Sequence, residues 1–421
     1  MSSDVSATPT PATESTADIV IMGAGAAGIS VAASLRRRRP SLSITIVDPA
    51  DTHYYQPAWT LVGAGEFDAA RTARPMSSVI PNGVTWIQAA VTAFAPDHQQ
   101  ILLSDGRRLG YRYLVVAPGL QLNWEAIDGL TDTLGRNGVT SNYRFDLAPY
   151  TWSLVRDFKG GNALFTQPPM PIKCAGAPQK AMYLSAHTWR QNGVHNKTKI
   201  EFHLVAPALF GVKDYIPALM EYVKRYEISL NHLSHLRAVD GERRVARFEI
   251  FDADGQSQFV DKPFDLLHVV PPQSAPDVLR ASPLADAAGW CEVDPATLRH
   301  ARFANIFGAG DAISAPNAKT AAAARKQAVV VAENLLAAMD GRPQPMHYDG
   351  YGACPLTVEH GKIVLAEFGY GGKLMPTFPL DGTKANRIAW MLKKYVLPKI
   401  YWDVMLRGRE WLAQPSRPGH R

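Results

Sequence analysis

No apolar run in this 421-residue chain approaches the roughly 20 residues that a membrane-spanning helix needs, so any membrane contact is peripheral. Cysteine is scarce, with Cys174, Cys291 and Cys354 the whole supply. Three thiols are too few for a secreted disulfide framework at this length, which favours a reducing compartment and leaves each cysteine to be explained by chemistry or by packing. The first 17 residues hold two acids, Asp4 and Glu14, and no base. They lack the positive start and apolar stretch of a secretory signal, and the arginines of a mitochondrial transit peptide. Residues 1–16 therefore read as a floppy tail.

What is present is an ordinary globular composition, 46% apolar and 19% charged, in a chain long enough for two or three packed units that can enclose a cofactor. Ala17 to Met22 reads as a short strand. It runs into Gly23-Ala-Gly25-Ala26-Ala27-Gly28 and an Ala/Leu-rich helix that ends at Arg36 to Arg39 and Pro40. A second strand, Ser43 to Val47, delivers Asp48 twenty residues after Gly28. The first glycine permits the tight turn, the second lets backbone approach a pyrophosphate, and the third packs helix on strand. The helix N-terminus offers N–H donors and a positive dipole end to phosphates, and the acid accepts from a ribose. A dinucleotide site follows. The arginine run reads as a solvated helix end.

Tyr113-Leu-Val-Val-Ala-Pro-Gly119 looks like the strand and turn that return the chain to the FAD domain in two-dinucleotide flavoproteins. Asn305-Ile-Phe-Gly-Ala-Gly310-Asp311 looks like their second FAD fingerprint, followed by a helix from Lys319-Thr320. In mid-chain, the strand Gly161 to Thr166 enters Gln167-Pro-Pro-Met-Pro-Ile-Lys173-Cys174-Ala-Gly-Ala-Pro178. Prolines stand where glycines would admit a second pyrophosphate, and they have no N–H to give it, so NAD(P)H is not the expected electron donor. The loop offers Cys174 instead, beside Lys173 and just ahead of a helix starting near Pro178. Both neighbours favour the thiolate, although a lone cysteine is ordinarily small core filler.

These segments resemble the sulfide:quinone oxidoreductases, in particular the branch with the mitochondrial enzymes. The likeness lies in His53-Tyr-Tyr-Gln56-Pro-Ala-Trp-Thr-Leu-Val-Gly-Ala-Gly65, Pro171 to Lys180, Lys319-Thr-Ala-Ala, Tyr348-Asp-Gly-Tyr-Gly-Ala-Cys354-Pro-Leu and Tyr401 to Gly408. It implies that Cys174 and Cys354 form a redox pair, bridged as a disulfide or trisulfide. Sulfide attacks the bridge, Cys354 is freed to engage the flavin, and Cys174 holds the persulfide. It implies that Lys180 and Lys393 assist, and that Gly23, Gly25, Ala26, Ala27, Gly28, Asp48, Gln56, Val91, Gly310, Asp311, Lys319 and Thr320 hold FAD. Cys291 matches no family cysteine and reads as structural. Tyr351, Phe368 and Phe378 are candidates for a quinone pocket, with a core role as the alternative for each.

Residues 384–421 carry nine bases and two acids, a balance of +7 in a chain of net +6, so the positive charge is local and no nucleic-acid partner is expected. Ile388, Met391, Leu392 and Tyr395 fall on one helical face, and Ile400, Tyr401, Val404, Met405 and Trp411 continue the apolar material. A basic amphipathic segment of this kind suits the headgroup layer of a membrane.

The expected fold is α/β, with two Rossmann-like domains of the two-dinucleotide flavoprotein class. An FAD domain is formed by 17–122 and 294–345, a second domain without a nicotinamide site by 123–293, and a docking and quinone segment by 346–421. The expected activity is oxidation of hydrogen sulfide to persulfide with reduction of FAD and then of a membrane quinone. A small thiol or sulfite is a candidate sulfur acceptor, with free polysulfide as the alternative, and no metal is expected. The expected location is the cytoplasmic face of a bacterial inner membrane, with homo-oligomerisation left open. The alternatives are the flavin subunit of a flavocytochrome c sulfide dehydrogenase, a type II NADH:quinone reductase, or a flavin-bearing redox sensor.

Overall fold

The computed structural model describes residues 14–413. Ile19, Val20 and Ile21 have no exposed surface, the signature of a parallel strand covered on both faces. The Glu14–Met22 strand lies between Ile44–Val47 and Arg108–Val116, parallel to both, and Val84–Ile87 and Ile306–Gly308 extend the parallel set outward. Gln100–Leu103 and Val91–Ala95 close the seven-stranded sheet as an antiparallel edge. The Ala26–Arg38 and Ala321–Met339 helices pack on each other against this sheet and share its core.

The tail reading needs correction at its end. Glu14, Ser15 and Thr16 are not loose, because their backbone pairs with Arg108, Leu109 and Gly110 and starts the strand three residues early. The rest of the tail lies outside the described residues. At the second strand, Ser43 stands just ahead of Ile44 and exchanges hydrogen bonds with Asp18.

A second sheet is wholly parallel, ordered Val139–Thr140, Leu266–His268, Gly161–Gln167, Thr198–Leu204 and Ser229–His232. The Ala177–Gln191 helix follows its central strand, and the antiparallel hairpin Gly352–Glu359/Lys362–Phe368 packs against that helix. The architecture is thus α/β with two Rossmann-like sheets and a C-terminal helical segment.

That segment corrects the apolar-face reading. Ile388, Met391, Tyr395 and Val396 are exposed, but Ile400, Tyr401, Trp402, Met405 and Leu406 are buried, most of them in the core of the first sheet. Leu392–Val396 and Ile400–Val404 are π-helical turns, whose longer repeat rotates later side chains inward relative to an α-helical count. Among the described residues no helix is long and apolar enough to cross a membrane.

Candidate active site

Gly23 adopts φ +99°, and a Cβ there would lie 2.3 Å from the Ala117 carbonyl oxygen. At Gly28 it would lie 1.9 Å from the Gly23 oxygen, so both positions exclude a side chain before any ligand is considered. Gly25 differs. It faces open space, and the helix it begins has no side-chain cap, which leaves the N–H groups around Ala26 and Ala27 at the mouth of a cradle. Asp48 Oδ2 accepts from the Ala24 N–H at 2.6 Å and Oδ1 from Ala50 at 2.8 Å. Val91 is buried at the head of its strand.

The second fingerprint closes on the same region. Gly310 (φ +80°) donates its N–H to Gln327 Oε1 at 2.8 Å, and the Gln327 amide nitrogen and Asn317 amide oxygen are buried without partners. Lys319 Nζ reaches the Asp311 and Ile313 carbonyls (2.6 and 3.1 Å) and sits 4.3 Å over the Trp290 ring. Burial pushes its ammonium down to about 8 and raises the Asp311 carboxyl, with Lys319 and Lys173 opposing the latter. Thr320 caps the Ala321–Met339 helix through the Ala323 N–H. Open donors, an uncapped helix start and orphaned amides suit a dinucleotide with a flavin.

The cysteine loop lies against this fingerprint, for the Cys174 N–H donates to the Lys319 carbonyl at 2.8 Å. Cys174 holds φ +49°, an unusual conformation for a side-chain-bearing residue and one that clusters at functional positions. The helix on one side and the Gly352–Glu359 strand on the other bring Cys174 Sγ and Cys354 Sγ to 4.0 Å across 180 residues of sequence. Lys180 Nζ stands 3.1 Å from Cys174 Sγ. The Cys354 hydrogen bond lowers the Cys174 thiol well below the usual range, with burial opposing and Lys180 helping; Cys354 is correspondingly raised by the same partner. Lys180 and Lys393 are not surface lysines, being 2% and 4% exposed. Burial works against the Lys180 charge, yet the two sulfurs hold its ammonium above the ordinary value. Lys393 Nζ donates to the Pro57 carbonyl at 3.2 Å, and burial, then Lys180, pushes it down to about 7.

Gln56 Oε1 accepts from Lys173 Nζ at 2.7 Å, which ties it to the cysteine loop. Tyr143, which the sequence did not single out, donates its hydroxyl to the Lys173 and Cys174 carbonyls (3.0 and 3.3 Å). Nothing in its surroundings in the sequence marks it. Cys291 is fully buried and its thiol is pushed up to about 12 by burial, as befits packing. Of the three aromatic candidates, Tyr351 lines a cleft of about 620 Å³ with Lys326, Met375, Thr377 and Trp411. Phe368 packs edge-on to Phe210, and Phe378 packs against the cluster that holds Leu61, Leu184 and Trp390, so each has a packing role.

A glycine cradle, a second flavin fingerprint and a cysteine pair in place of a second cradle define an FAD-dependent oxidoreductase of the two-dinucleotide class. Residues 17–155 match the family described as pyridine nucleotide-disulphide oxidoreductase. The mouse mitochondrial sulfide:quinone oxidoreductase is 41% identical over 391 residues, covering 93% of this chain and 86% of that protein. The Dictyostelium discoideum mitochondrial enzyme of the same name is 40% identical, with 94% and 87% covered. The sulfide:quinone oxidoreductase structure from Aquifex aeolicus superposes with a TM-score of 0.74 at 18% identity, over 93% of this chain and 92% of that one. This chain belongs to the sulfide:quinone oxidoreductase family.

Proposed function

We propose that the protein oxidises hydrogen sulfide and reduces a membrane quinone, with Cys174 and Cys354 as the sulfur-handling pair. The observation that supports this most directly is the 4.0 Å approach of the two sulfurs, with Lys180 beside Cys174 and the loop bonded to Lys319 of the flavin fingerprint. In the bridged state HS⁻ attacks the Cys174 sulfur. A sulfur–sulfur bond forms there, the bond toward Cys354 breaks, and Cys354 leaves as a thiolate. Lys180 stabilises the Cys174 thiolate that appears once the outer sulfur has left, and Lys393, near neutrality in pKa, is suited to take up or return a proton. The outer sulfur passes to a small thiol or to sulfite, and the two thiolates re-form the bridge with loss of two electrons. FAD, when bound, supplies the two-electron acceptor that the quinone reoxidises.

Gln167-Pro-Pro-Met-Pro supports the exclusion of NADH, since its prolines have no N–H to offer a second pyrophosphate. The FAD domain is assigned to 17–122 with 294–345, and the intervening sheet to the domain that carries Cys174. The exposed Ile388, Met391, Tyr395 and Val396, set among Arg387, Lys394 and Lys399, support peripheral docking on a membrane.

The test is anaerobic mixing with sulfide and then a short-chain quinone. Bleaching of the flavin by sulfide, its return with quinone, and loss of the first step in Cys174→Ala and Cys354→Ala are expected. Bleaching by NADH instead, or flavin reduction by sulfide that survives both substitutions, would reject the proposal.

A further inference from the structure

The glycine loop is held from a direction its own motif does not account for. His53 is 3% exposed and lies between two elements. Its Nδ1 is 2.9 Å from the Ala24 carbonyl oxygen, and its Nε2 is 2.6 Å from the Tyr401 hydroxyl. A carbonyl can only accept, so Nδ1 carries the proton, Nε2 is the bare nitrogen, and the Tyr401 O–H donates to it. With Asp48 on the Ala24 N–H, both ends of this residue between Gly23 and Gly25 are fixed. The plane of the following peptide, which carries the Gly25 N–H at the mouth of the cradle, is fixed with them.

Tyr401 does not stand alone. Trp402, Met405 and Leu406 enter the core of the first sheet, and the Arg74 guanidinium lies 4.2 Å over the Trp402 ring. Gly408 (φ +63°) runs so close to the Ala26–Arg38 helix that a Cβ would meet Ala33 backbone at 2.6 Å. Glu410 then takes a two-pronged bond from Arg38 and another from the Ser34 hydroxyl at 2.7 Å. Residues 401–410 are thereby strapped to the helix that begins at the cradle and, through His53, to the loop ahead of it.

We infer that the Tyr401–His53–Ala24 relay makes the C-terminal segment a clamp on the flavin nucleotide, with His53 and Tyr401 as positioning residues for FAD. The inference rests on the FAD reading and on no step of sulfide chemistry. Its test is the affinity for FAD itself, read from flavin fluorescence during release from the full-length holoenzyme and rebinding to the stripped apoprotein. Tyr401→Phe removes one hydroxyl and is expected to weaken FAD about five-fold, the size of one neutral hydrogen bond. His53→Ala is expected to weaken it further. His53→Asn, whose amide can still donate toward the Ala24 carbonyl, is expected to recover part of the loss. A bond that merely held the fold together would cost apoprotein and holoprotein alike and leave the affinity unchanged. Wild-type affinity in Tyr401→Phe would therefore overturn the inference even if His53→Ala failed to fold. Failure of sulfide to reduce a normally bound flavin would touch only the proposed function.

Discussion

At the Cys174 sulfur, burial and its neighbours pull in opposite directions. The hydrogen bond from Cys354 and the Lys180 ammonium at 3.1 Å favour the thiolate, desolvation opposes it, and the balance lies well below an ordinary thiol. Lys180→Met removes one of these supports, leaving the Cys354 hydrogen bond and the more distant Lys393. In the reduced protein, alkylation of Cys174 near pH 7 should slow by about ten-fold and its pH profile should move upward, as followed by mass spectrometry; an unshifted profile would remove Lys180 from the chemistry. Lys393 carries the opposite stability sign. Its folded pKa, about 7, is depressed below the unfolded lysine value, so the folded state binds fewer protons between the two and stability climbs with pH across that window. Below about 7 the full penalty of a buried ammonium is present. Lys393→Met should then raise stability by on the order of 1–2 kcal/mol at about pH 6 and by little near pH 10, while slowing sulfide turnover. Thermal melts at the two pH values check it.

The element-level contact that decides the sulfur geometry is the start of the Ala177–Gln191 helix against the Gly352–Glu359 strand. Gly176 stands at this seam, where an added Cβ would lie 2.3 Å from Leu356 Cδ2. Because the obstacle is a flexible side-chain end, Gly176→Ala should fold, but with helix and strand pushed apart and sulfurs now 4.0 Å apart carried beyond easy bridging. Stopped-flow reduction by sulfide is expected to slow about ten-fold, with FAD content unchanged. Cysteine spacing contains no trace of this seam, since neither helix nor strand periodicity links residues 180 apart, and the pair was legible only through family likeness. The glycine cradle was legible directly, because Gly23, Gly28 and Asp48 act within one strand–helix–strand unit. Past residue 396 the apolar count failed for a definite reason. α-Helical spacing cannot distinguish the exposed Ile388–Tyr395 ridge from the buried Tyr401–Leu406 run once π-turns reset the face between them.

Across the whole molecule, charge and apolar surface converge on the C-terminal segment. The chain is +6 overall while residues 384–421 alone are formally +7, or +6 with the buried Lys393 set aside, so long-range attraction to an anionic surface is concentrated there. Beside Arg387, Lys394 and Lys399 stand Ile388, Met391, Tyr395 and Val396, between 40% and 64% exposed. The two contributions respond differently to salt. Each base near a charged bilayer contributes on the order of 1 kcal/mol and is screened when the Debye length shrinks to a few ångströms. Burial of the four apolar side chains, each worth roughly 1–2 kcal/mol, is insensitive to screening. Cosedimentation with vesicles of about 30% anionic lipid should accordingly be strong at low ionic strength and weakened, not abolished, near 0.5 M salt. Combined Ile388→Ser, Met391→Ser and Tyr395→Ser should abolish the salt-resistant fraction and leave FAD content intact, because the clamp on the nucleotide is made by Tyr401 and Glu410 on the inner side of the same segment. Full binding of the triple variant at high salt would show that the ridge is not the docking surface.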